Sequence, residues 1–445
     1  MERRESALKY FNYHKEFCDD YVKNGIEKNR KGFARLSITG EDGKPLKGAK
    51  VKIKQNSHDF KFGCNIFMLD EFESDEKNAL YRELFKKYFN YATVPFYWSD
   101  LEPEYGKPRY AKNSFKVYRR PAPDLCVEYC RENNIRMKGH CLAYDTSAFT
   151  PEYFPRDIKE AKKFYERHFA EIAERYADVI DDFDITNELL CHTTLLHTNN
   201  RPALLREYDY LDWLYEIAYK YFPYNLRYLN EAQNLGDESF RDNRTPYYMM
   251  IERHLKNGGK CNAISMQAHS FIRKEQEAHF AGYRYNPIYI AAQSELYADF
   301  KLPIQISEVT ISAFGLEKED EEIQAEILTN MYKMWFASPY MEGIVYWNMV
   351  DGYAAWAKPG SLEGENYFCG GLLRYDMTEK LAMTALKELL KGWQTNLEST
   401  TDENGELVIK GFYGNYDLEI ETPNGLKTST FHLDKFYERP HFIKL

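Results

Sequence analysis

The chain has 445 residues, of which 59 are lysine or arginine and 69 are aspartate or glutamate, so its formal net charge is −10. No block of basic residues interrupts this acidic balance, and we therefore expect neither a nucleic-acid partner nor binding to an anionic membrane surface. No run of about 18 apolar residues occurs, so no membrane-spanning helix is predicted. The length is sufficient for one domain of about 250 residues together with a smaller module.

The eight cysteines are spaced neither like a disulfide framework nor like a zinc site. Residues 1–6 carry charges and precede no apolar segment typical of a secretory signal. These features predict a reduced, cytoplasmic protein; the alternative is a secreted protein whose signal has been removed. Serine-hydrolase elbows, complete phosphate-binding loops and zinc-protease motifs are absent from the sequence, so we expect no cofactor and no metal.

The two ends of the chain differ in pattern from its middle. Residues 1–30 are predicted to form an amphipathic helix. Residues 31–60 contain two alternating segments around a Gly-Lys-Pro turn, which predict a β-hairpin, and residues 396–445 contain three further strand-like segments. Because strands need partners, we predict one sandwich built from both ends, with two independent decorations as the alternative. The Gly-Lys-Pro-Leu-Lys-Gly-Ala phrase at 43–49 resembles the first strands of carboxypeptidase-regulatory-like β-sandwiches.

Residues 61–395 alternate between strand-like and helical patterns. The predicted strands cover residues 63–67, 91–98, 136–142, 179–187, 225–230, 263–267, 304–308 and 343–348. The predicted helices cover residues 75–88, 116–133, 157–177, 207–221, 244–256, 285–299, 319–337 and 377–391. Eight such repeats predict an α/β protein with a parallel (β/α)₈, or TIM, barrel, accompanied by the small β-sandwich module.

Two glutamates end strand-like segments of this barrel. Glu188 follows the fourth predicted strand, and Glu308 ends the seventh. The carboxyl ends of barrel strands carry the chemistry, and two carboxyl groups facing one another can hydrolyse a glycosidic bond. An isolated Asn-Glu pair such as Asn187-Glu188 is weak by itself, since it can equally be a surface pair. Cys191, His192 and His197 follow closely, and we interpret them as a loop on the aglycone side, with metal ligands as the minor alternative.

The surrounding motifs strengthen this interpretation, because they occur in a known order. The chain resembles glycoside hydrolase family 10, the xylanase-like barrels, over about residues 62–393. The motifs that carry the resemblance are Trp98-Ser99-Asp100-Leu101-Glu102-Pro103, Lys138-Gly139-His140, Asp184-Ile185-Thr186-Asn187-Glu188, Tyr228-Leu229-Asn230-Glu231, Gln267-Ala268-His269, Ile306-Ser307-Glu308 and Gly343-Ile344-Val345-Tyr346-Trp347.

The resemblance implies a retaining β-glycoside hydrolase acting on xylan-derived or related oligosaccharides by double displacement. It implies that Glu188 is the acid/base, that Glu308 is the nucleophile, and that His269 and Asn187 assist them. The implied substrate-binding residues are His140, Gln267, Trp347, Tyr144, Asn230, Trp356 and Trp98. For the histidines and tryptophans, ordinary core packing is the alternative.

Three segments of the sequence depart from the family pattern. Pro95, Phe96 and Tyr97 stand where the family has polar residues that bind the distal sugar. Tyr144 replaces the usual tryptophan, and Thr310 replaces the aspartate that supports the histidine beside the nucleophile. We therefore expect poor activity on long unsubstituted xylan and an aromatic wall formed by Phe96, Tyr97 and Tyr144.

A carbohydrate-binding pseudoenzyme and a β-glycosidase with a non-xylan substrate are the alternative functions. A third possibility is that the β-sandwich docks a partner protein. The retention of both glutamates favours an enzyme. The expected partner is a carbohydrate, while the sugar, the choice between endo and exo action, and the oligomeric state stay open.

Overall fold

The computed structural model describes residues 3–146, 148–192, 207–232, 244–315, 317–436 and 439–445, apart from the side chains of residues 191 and 192. Within these ranges no helix is both long enough and apolar enough to cross a membrane. The strands are β1 (Lys31–Thr39), β2 (Lys50–Gln55), β3 (Lys61–Asn65), β4 (Tyr91–Pro95), β5 (Arg136–His140), β6 (Asp182–Asn187), β7 (Leu226–Glu231), β8 (Ala263–His269), β9 (Ile304–Thr310), β10 (Met341–Tyr346), β11 (Asn396–Thr400), β12 (Glu406–Phe412), β13 (Gly414–Thr422), β14 (Gly425–Leu433) and β15 (His441–Lys444).

The helices alternate with the strands in the middle of the chain. They are α1 (Arg3–Ala7), α2 (Lys9–Tyr13), α3 (Lys15–Asn29), α4 (Asp75–Tyr88), α5 (Trp98–Leu101), α6 (Pro123–Glu132), α7 (Ile158–Tyr176), α8 (Leu189–His192), α9 (Tyr210–Tyr221), α10 (Pro246–Lys256), α11 (Glu277–Ala281), α12 (Pro287–Ala298), α13 (Lys318–Ala337) and α14 (Leu381–Gly392). The single N-terminal helix predicted for residues 1–30 is instead three consecutive helices, α1 to α3, interrupted near Leu8 and His14.

Strands β3 to β10 close into one parallel barrel, with β10 paired to β3. The predicted (β/α)₈ barrel is therefore confirmed. These strands are buried along almost their whole length, as expected for a parallel sheet covered by helices on its outside. Glu188 follows the fourth barrel strand directly, and Glu308 lies within the seventh, so both stand at the carboxyl-terminal mouth.

Strands from both ends of the chain form two further sheets, in the orders β12-β1-β15 and β11-β2-β13-β14. Their shared core includes Leu36, Ile53, Leu407 and Leu418. The predicted sandwich of N- and C-terminal segments is thus confirmed.

The predicted β-hairpin at residues 31–60 is wrong, because β1 and β2 lie in different sheets. Pairing between the two segments extends only to the bridge between Thr39 and Pro45 and the bond from the Leu46 amide to the Ile38 carbonyl, 3.0 Å. After this bridge the chain forms a hydrogen bond with Thr401, whose Oγ1 accepts the amide hydrogen of Ala49 at 2.9 Å. The C-terminal segment therefore takes the place of the hairpin partner and directs β2 into the opposite sheet.

The sandwich is attached to the barrel by a cluster of aromatic rings. The Phe336 ring stacks on Trp393 with centroids 4.0 Å apart and meets Phe60 edge-on at 4.8 Å and Phe412 at 6.0 Å. Phe60 precedes the first barrel strand, and Phe336 and Trp393 end or follow outer helices. The attachment is consequently on the amino-terminal side of the barrel, opposite the mouth that holds the two glutamates.

Candidate active site

Glu188 occupies the single-residue junction between β6 and the short helix α8. Its φ is 53°, a left-handed conformation that a residue with a side chain adopts at a cost of about 1–3 kcal/mol. Its amide is bonded to the Asn230 carbonyl at 3.0 Å, which fixes the junction. One carboxyl oxygen accepts the Gln267 Nε2 hydrogen at 2.8 Å, and the other accepts the hydroxyl hydrogen of Tyr144.

Glu308 is 3 % exposed, and each of its carboxyl oxygens has a hydrogen-bond partner. Oε1 accepts from Asn230 Nδ2 at 2.8 Å, and Oε2 lies 3.2 Å from Nε2 of His269. The other ring nitrogen of His269 lies 2.9 Å from the Thr310 hydroxyl. A neutral ring that donates its Nε2 hydrogen to Glu308 must accept at Nδ1, so here Thr310 donates to the ring. Threonine thereby replaces the supporting aspartate with an uncharged contact.

A chain of amide groups connects the two carboxyl groups. Asn230 Nδ2 donates to Asn187 Oδ1 at 2.7 Å as well as to Glu308, and Gln267 Nε2 lies 3.4 Å from the same Asn187 oxygen. Ser265 and Ser307 donate to Asn230 Oδ1 at 2.8 and 2.6 Å, which fixes its orientation. The Asn187 oxygen accepts from this chain, and the residue also lines the cleft.

The wall on the side of the third strand is built around His140, which is 1 % exposed. Its Nδ1 is 2.8 Å from Asp184 Oδ2, and its Nε2 is 3.0 Å from the Tyr97 hydroxyl. Burial alone would raise the pKa of Asp184, but the Lys138 ammonium 2.9 Å away and His140 lower it overall. An ionised Asp184 accepts the Nδ1 hydrogen of His140, and the ring is held edge-on to Trp347, with centroids 5.7 Å apart.

Glu231, immediately after Asn230, is a third carboxyl group close to Glu188. It is 1 % exposed and accepts the Leu190 amide at 3.1 Å. Burial raises the pKa of Glu231 to about 8, and the nearby charge of Glu188 acts in the same direction. Glu231 is therefore neutral over most of the ordinary pH range, which limits the negative charge beside Glu188.

These groups open into a cleft of about 770 Å³. Its aromatic lining includes Trp347, Tyr144, Phe149 and Trp356. Tyr144 stacks on Phe149 at 4.3 Å with an interplanar angle of 11°, and Trp356 is 79 % exposed at the rim. Flat, partly exposed rings at a polar cleft suit the apolar face of a sugar.

The structure gathers most of the predicted site residues at this cleft. Those that line it are Glu188, Glu308, Asn187, His269, His140, Gln267, Trp347, Tyr144 and Trp356. Asn230 is fully buried behind the carboxyl groups and lies outside the lining, so it positions Glu308 and does not bind substrate directly.

Trp98 does not belong to the site, and its predicted substrate-binding role is wrong. It is 3 % exposed, donates its indole hydrogen to Glu102 at 3.0 Å and stacks on His168 at 4.0 Å. Phe96 is likewise a core residue, packed against Tyr176. Helix α5 turns Trp98 towards α7 and away from the cleft. The aromatic wall therefore consists of three rings that line the cleft, Tyr97, Tyr144 and Phe149.

Sequence reasoning missed several lining residues that lie outside the strands and α-helices. They are Arg119, Arg120, Phe149, Arg284 and Glu365. The helix predicted for residues 116–133 begins only at Pro123, so the two arginines belong to a loop. Pro121 and Pro123 could have indicated that the helix begins later, because the residue before a proline is disfavoured in a helix.

No group of three or more potential metal ligands occurs among the residues described. The interpretation of Cys191, His192 and His197 falls outside them, since the structure describes no side chain at these positions. The cleft is lined by carboxyl, amide, imidazole, guanidinium and aromatic groups.

Comparison with known proteins agrees with this geometry. The model of the family described as Glycosyl hydrolase family 10 matches residues 54–385. Endo-1,4-beta-xylanase 2 of Arabidopsis thaliana is 23 % identical over 93 % of this chain, and the Acetivibrio thermocellus protein named Anti-sigma-I factor RsgI6 is 22 % identical over 94 %. The alignments cover only 35 % and 48 % of those proteins, so the chain spans less than half the length of either.

A solved structure shares the fold. Xylanase 10B from Thermotoga petrophila RKU-1, in complex with xylobiose, superposes with a TM-score of 0.59 at 19 % identity, over 75 % of this chain and 94 % of that one. At this identity the likeness concerns the barrel alone.

Proposed function

We propose that this chain, which belongs to glycosyl hydrolase family 10, is a retaining β-glycoside hydrolase that acts on xylan-derived or related oligosaccharides. The observation that carries the proposal is the pair of glutamates at the ends of the fourth and seventh barrel strands, joined by one amide chain. A carbohydrate-binding protein without turnover has no need for such a held pair. The cytoplasmic location stays a prediction.

In the first step, a Glu308 oxygen attacks the anomeric carbon while Glu188 protonates the departing glycosidic oxygen. The C–O bond to the leaving group breaks, and a glycosyl ester to Glu308 forms. In the second step, Glu188 takes a proton from water, whose oxygen displaces Glu308 from the anomeric carbon. The sugar leaves with its original anomeric configuration, and both carboxyl groups return to their starting states.

The surrounding residues assist each step. The hydrogen bonds from Asn230 and His269 hold Glu308 in one orientation for attack. Asn187 lines the cleft, where its amide group can bind a sugar hydroxyl, a contact that strengthens in the transition state. Trp347 and Tyr144 supply rings against which the sugar packs.

The proposal is tested with variants of the two glutamates. Glu308→Ala should abolish turnover, because no nucleophile remains. Glu188→Ala should reduce the rate about 10²–10⁴-fold on substrates with poor leaving groups and much less on activated aryl glycosides, which depart without protonation.

Proton NMR of the first-formed sugar product should show retention of configuration. Glu342→Gln is a suitable control, since Glu342 is a partly exposed acid on the opposite side of the barrel. Wild-type turnover by Glu308→Ala, or clean inversion of configuration, would contradict the assignment.

A further inference from the structure

Arg119 is a buried cation at the cleft that the proposed reaction does not use. It is 2 % exposed, and its guanidinium donates to the Tyr353 carbonyl and, at 2.9 Å, to Asn348 Oδ1. Its Nε is buried and has no hydrogen-bond partner within the described ranges, and none of the residues there forms an ion pair with it. A buried N–H group without a partner is costly, so a ligand that accepts this hydrogen is favoured.

Glu365 carries a buried acceptor oxygen that lacks a donor among the described residues, just as Arg119 carries a buried donor that lacks an acceptor. It lies in the short 3₁₀ helix Gly364–Phe368 and lines the same cleft as Arg119. Its Oε2 is buried and accepts no hydrogen bond from any residue that the structure describes. The charge of Glu365 influences Arg119, although the two side chains form no ion pair. Two residues that line one cleft therefore carry a donor and an acceptor that have no partner among the described residues.

Both groups lie beside the catalytic residues but do not touch them. Asn348, which binds Arg119, directly follows Trp347, and Trp347 is 5.8 Å from the ring of His269. Arg119 also lies over the ring of Phe67, which follows the first barrel strand. The pair therefore flanks the side of the mouth formed by the eighth and first strands, whereas the catalytic glutamates come from the fourth and seventh.

We propose that Arg119 and Glu365 form a subsite for two neighbouring hydroxyl groups of an uncharged sugar next to the one being cleaved. Arg119 donates its Nε hydrogen to one hydroxyl oxygen, and Glu365 Oε2 accepts the hydrogen of the other. This subsite rests on the proposed function, and it supplies polar contacts that the Pro95, Phe96 and Tyr97 segment lacks.

The charges around the pair favour an uncharged ligand over an anionic one. Arg120 is already compensated by Asp100, with Nε and Oδ2 2.8 Å apart. The carboxylate of Glu365 would repel a sugar acid bound at Arg119. A hydroxyl group both donates and accepts hydrogen bonds. Two neighbouring hydroxyl groups can therefore accept from Arg119 Nε and donate to Glu365 Oε2 at the same time.

The test compares ligands that are too short and long enough to reach the subsite. Glu308→Ala protein is titrated calorimetrically with xylose and xylotetraose, and with glucose and cellotetraose, with and without Glu365→Ala. Hydrogen bonds to charged groups are strong, so loss of Glu365 should weaken tetrasaccharide binding about 10- to 100-fold. Hydrolysis of p-nitrophenyl β-xyloside, which carries one sugar, should be unchanged in Glu363→Gln.

Glu365→Ala removes no hydrogen bond to a described residue, so its folding should be intact. Arg119→Lys keeps the charge but not the Nε geometry, and it should give the same loss for tetrasaccharides. Glu363→Gln, at an exposed neighbouring acid, is the matched control and should bind like the parent protein.

Tetrasaccharide binding that is unaffected by Glu365→Ala would overturn the subsite while leaving the hydrolase proposal intact. Tighter binding of a glucuronic acid-substituted xylo-oligosaccharide in Glu365→Ala than of the neutral one would also overturn it, in favour of an anionic sugar. If no oligosaccharide binds and the wild-type protein hydrolyses none of them, the proposed function itself fails.

Discussion

Tyr144 contacts the carboxyl group of Glu188 directly, at a position where the family resemblance led us to expect tryptophan. Burial, and then the neighbouring charge of Glu188, raise the pKa of Tyr144 far above its usual value, so its hydroxyl stays protonated and donates. A donor to a carboxylate stabilises the ionised form and lowers the pKa of that acid. The tyrosine thus tunes the group that must be protonated for the first step.

Tyr144→Phe should therefore shift the alkaline limb of the kcat/KM profile to higher pH, because the carboxylate of Glu188 loses a hydrogen-bond donor. The measurement is the pH dependence of kcat/KM on one aryl glycoside. Tyr153→Phe, which loses a bond to the Glu102 carbonyl away from the cleft, is the control. An unshifted alkaline limb would show that Tyr144 does not act on Glu188.

Glu231 gives the protein a pH-dependent stability. Its pKa is about 8 in the folded chain, because burial disfavours the charged form, against an ordinary value near 4.5 when unfolded. Between these values the folded state holds a proton that the unfolded state has lost, so the free energy of unfolding decreases as pH rises from about 4.5 to about 8. The maximal slope from this one group is about 1.4 kcal/mol per pH unit.

Glu231→Gln should flatten this part of the stability curve, because the amide carries no charge at any pH. Urea unfolding at pH 5, 6, 7 and 8 measures the effect. Glu174→Gln, at an exposed acid on α7, should leave the decrease in place. Equal pH slopes for Glu231→Gln and the wild type would contradict a neutral Glu231.

At the scale of elements, periodicity predicts what is local and fails where partners are distant. All eight barrel strands and their helices occur in the predicted order, because each buries a continuous apolar face. The pairing of β1 and β2 could not be obtained in this way. Their alternation is compatible with a hairpin, and only the bonds to Thr401, about 350 residues further along, decide against it.

The candidate site likewise contains residues that local motifs place correctly and residues that they do not. Residues at strand ends, such as Glu188, Glu308 and Gln267, could be placed from motifs because the barrel fixes where strands end. Trp98 could not be placed correctly, since a single turn of helix rotates it into the core. Arg119 lies in a loop and Glu365 in a short 3₁₀ helix, and no periodic pattern specifies the course of either segment.

At the scale of the whole molecule, the sandwich is divided in sequence but continuous in space. Strand β1 pairs with β12 and β15, and β2 pairs with β11 and β13, so each N-terminal strand lies between C-terminal ones. The aromatic cluster around Phe336 attaches this sandwich to the side of the barrel opposite the cleft. We infer that the sandwich stabilises the chain and contributes no group to the catalytic mouth.

Deletion of residues 396–445 tests this view of the molecule. The truncation removes every described pairing partner of β1 and β2, which exposes Leu36 and Ile53 together with two unpaired strand edges. Such edges and apolar faces promote aggregation. We expect a lower melting temperature and high-molecular-weight species in size-exclusion chromatography, while any monomeric fraction keeps the kcat of the full chain.

A shorter deletion of residues 434–445 removes only β15 and should have a smaller effect, because β1 retains β12 and both sheets persist. A monomeric 396–445 deletion with the melting temperature of the full chain would show that the barrel folds without the sandwich, and a selective fall in kcat would show that the sandwich acts on the cleft.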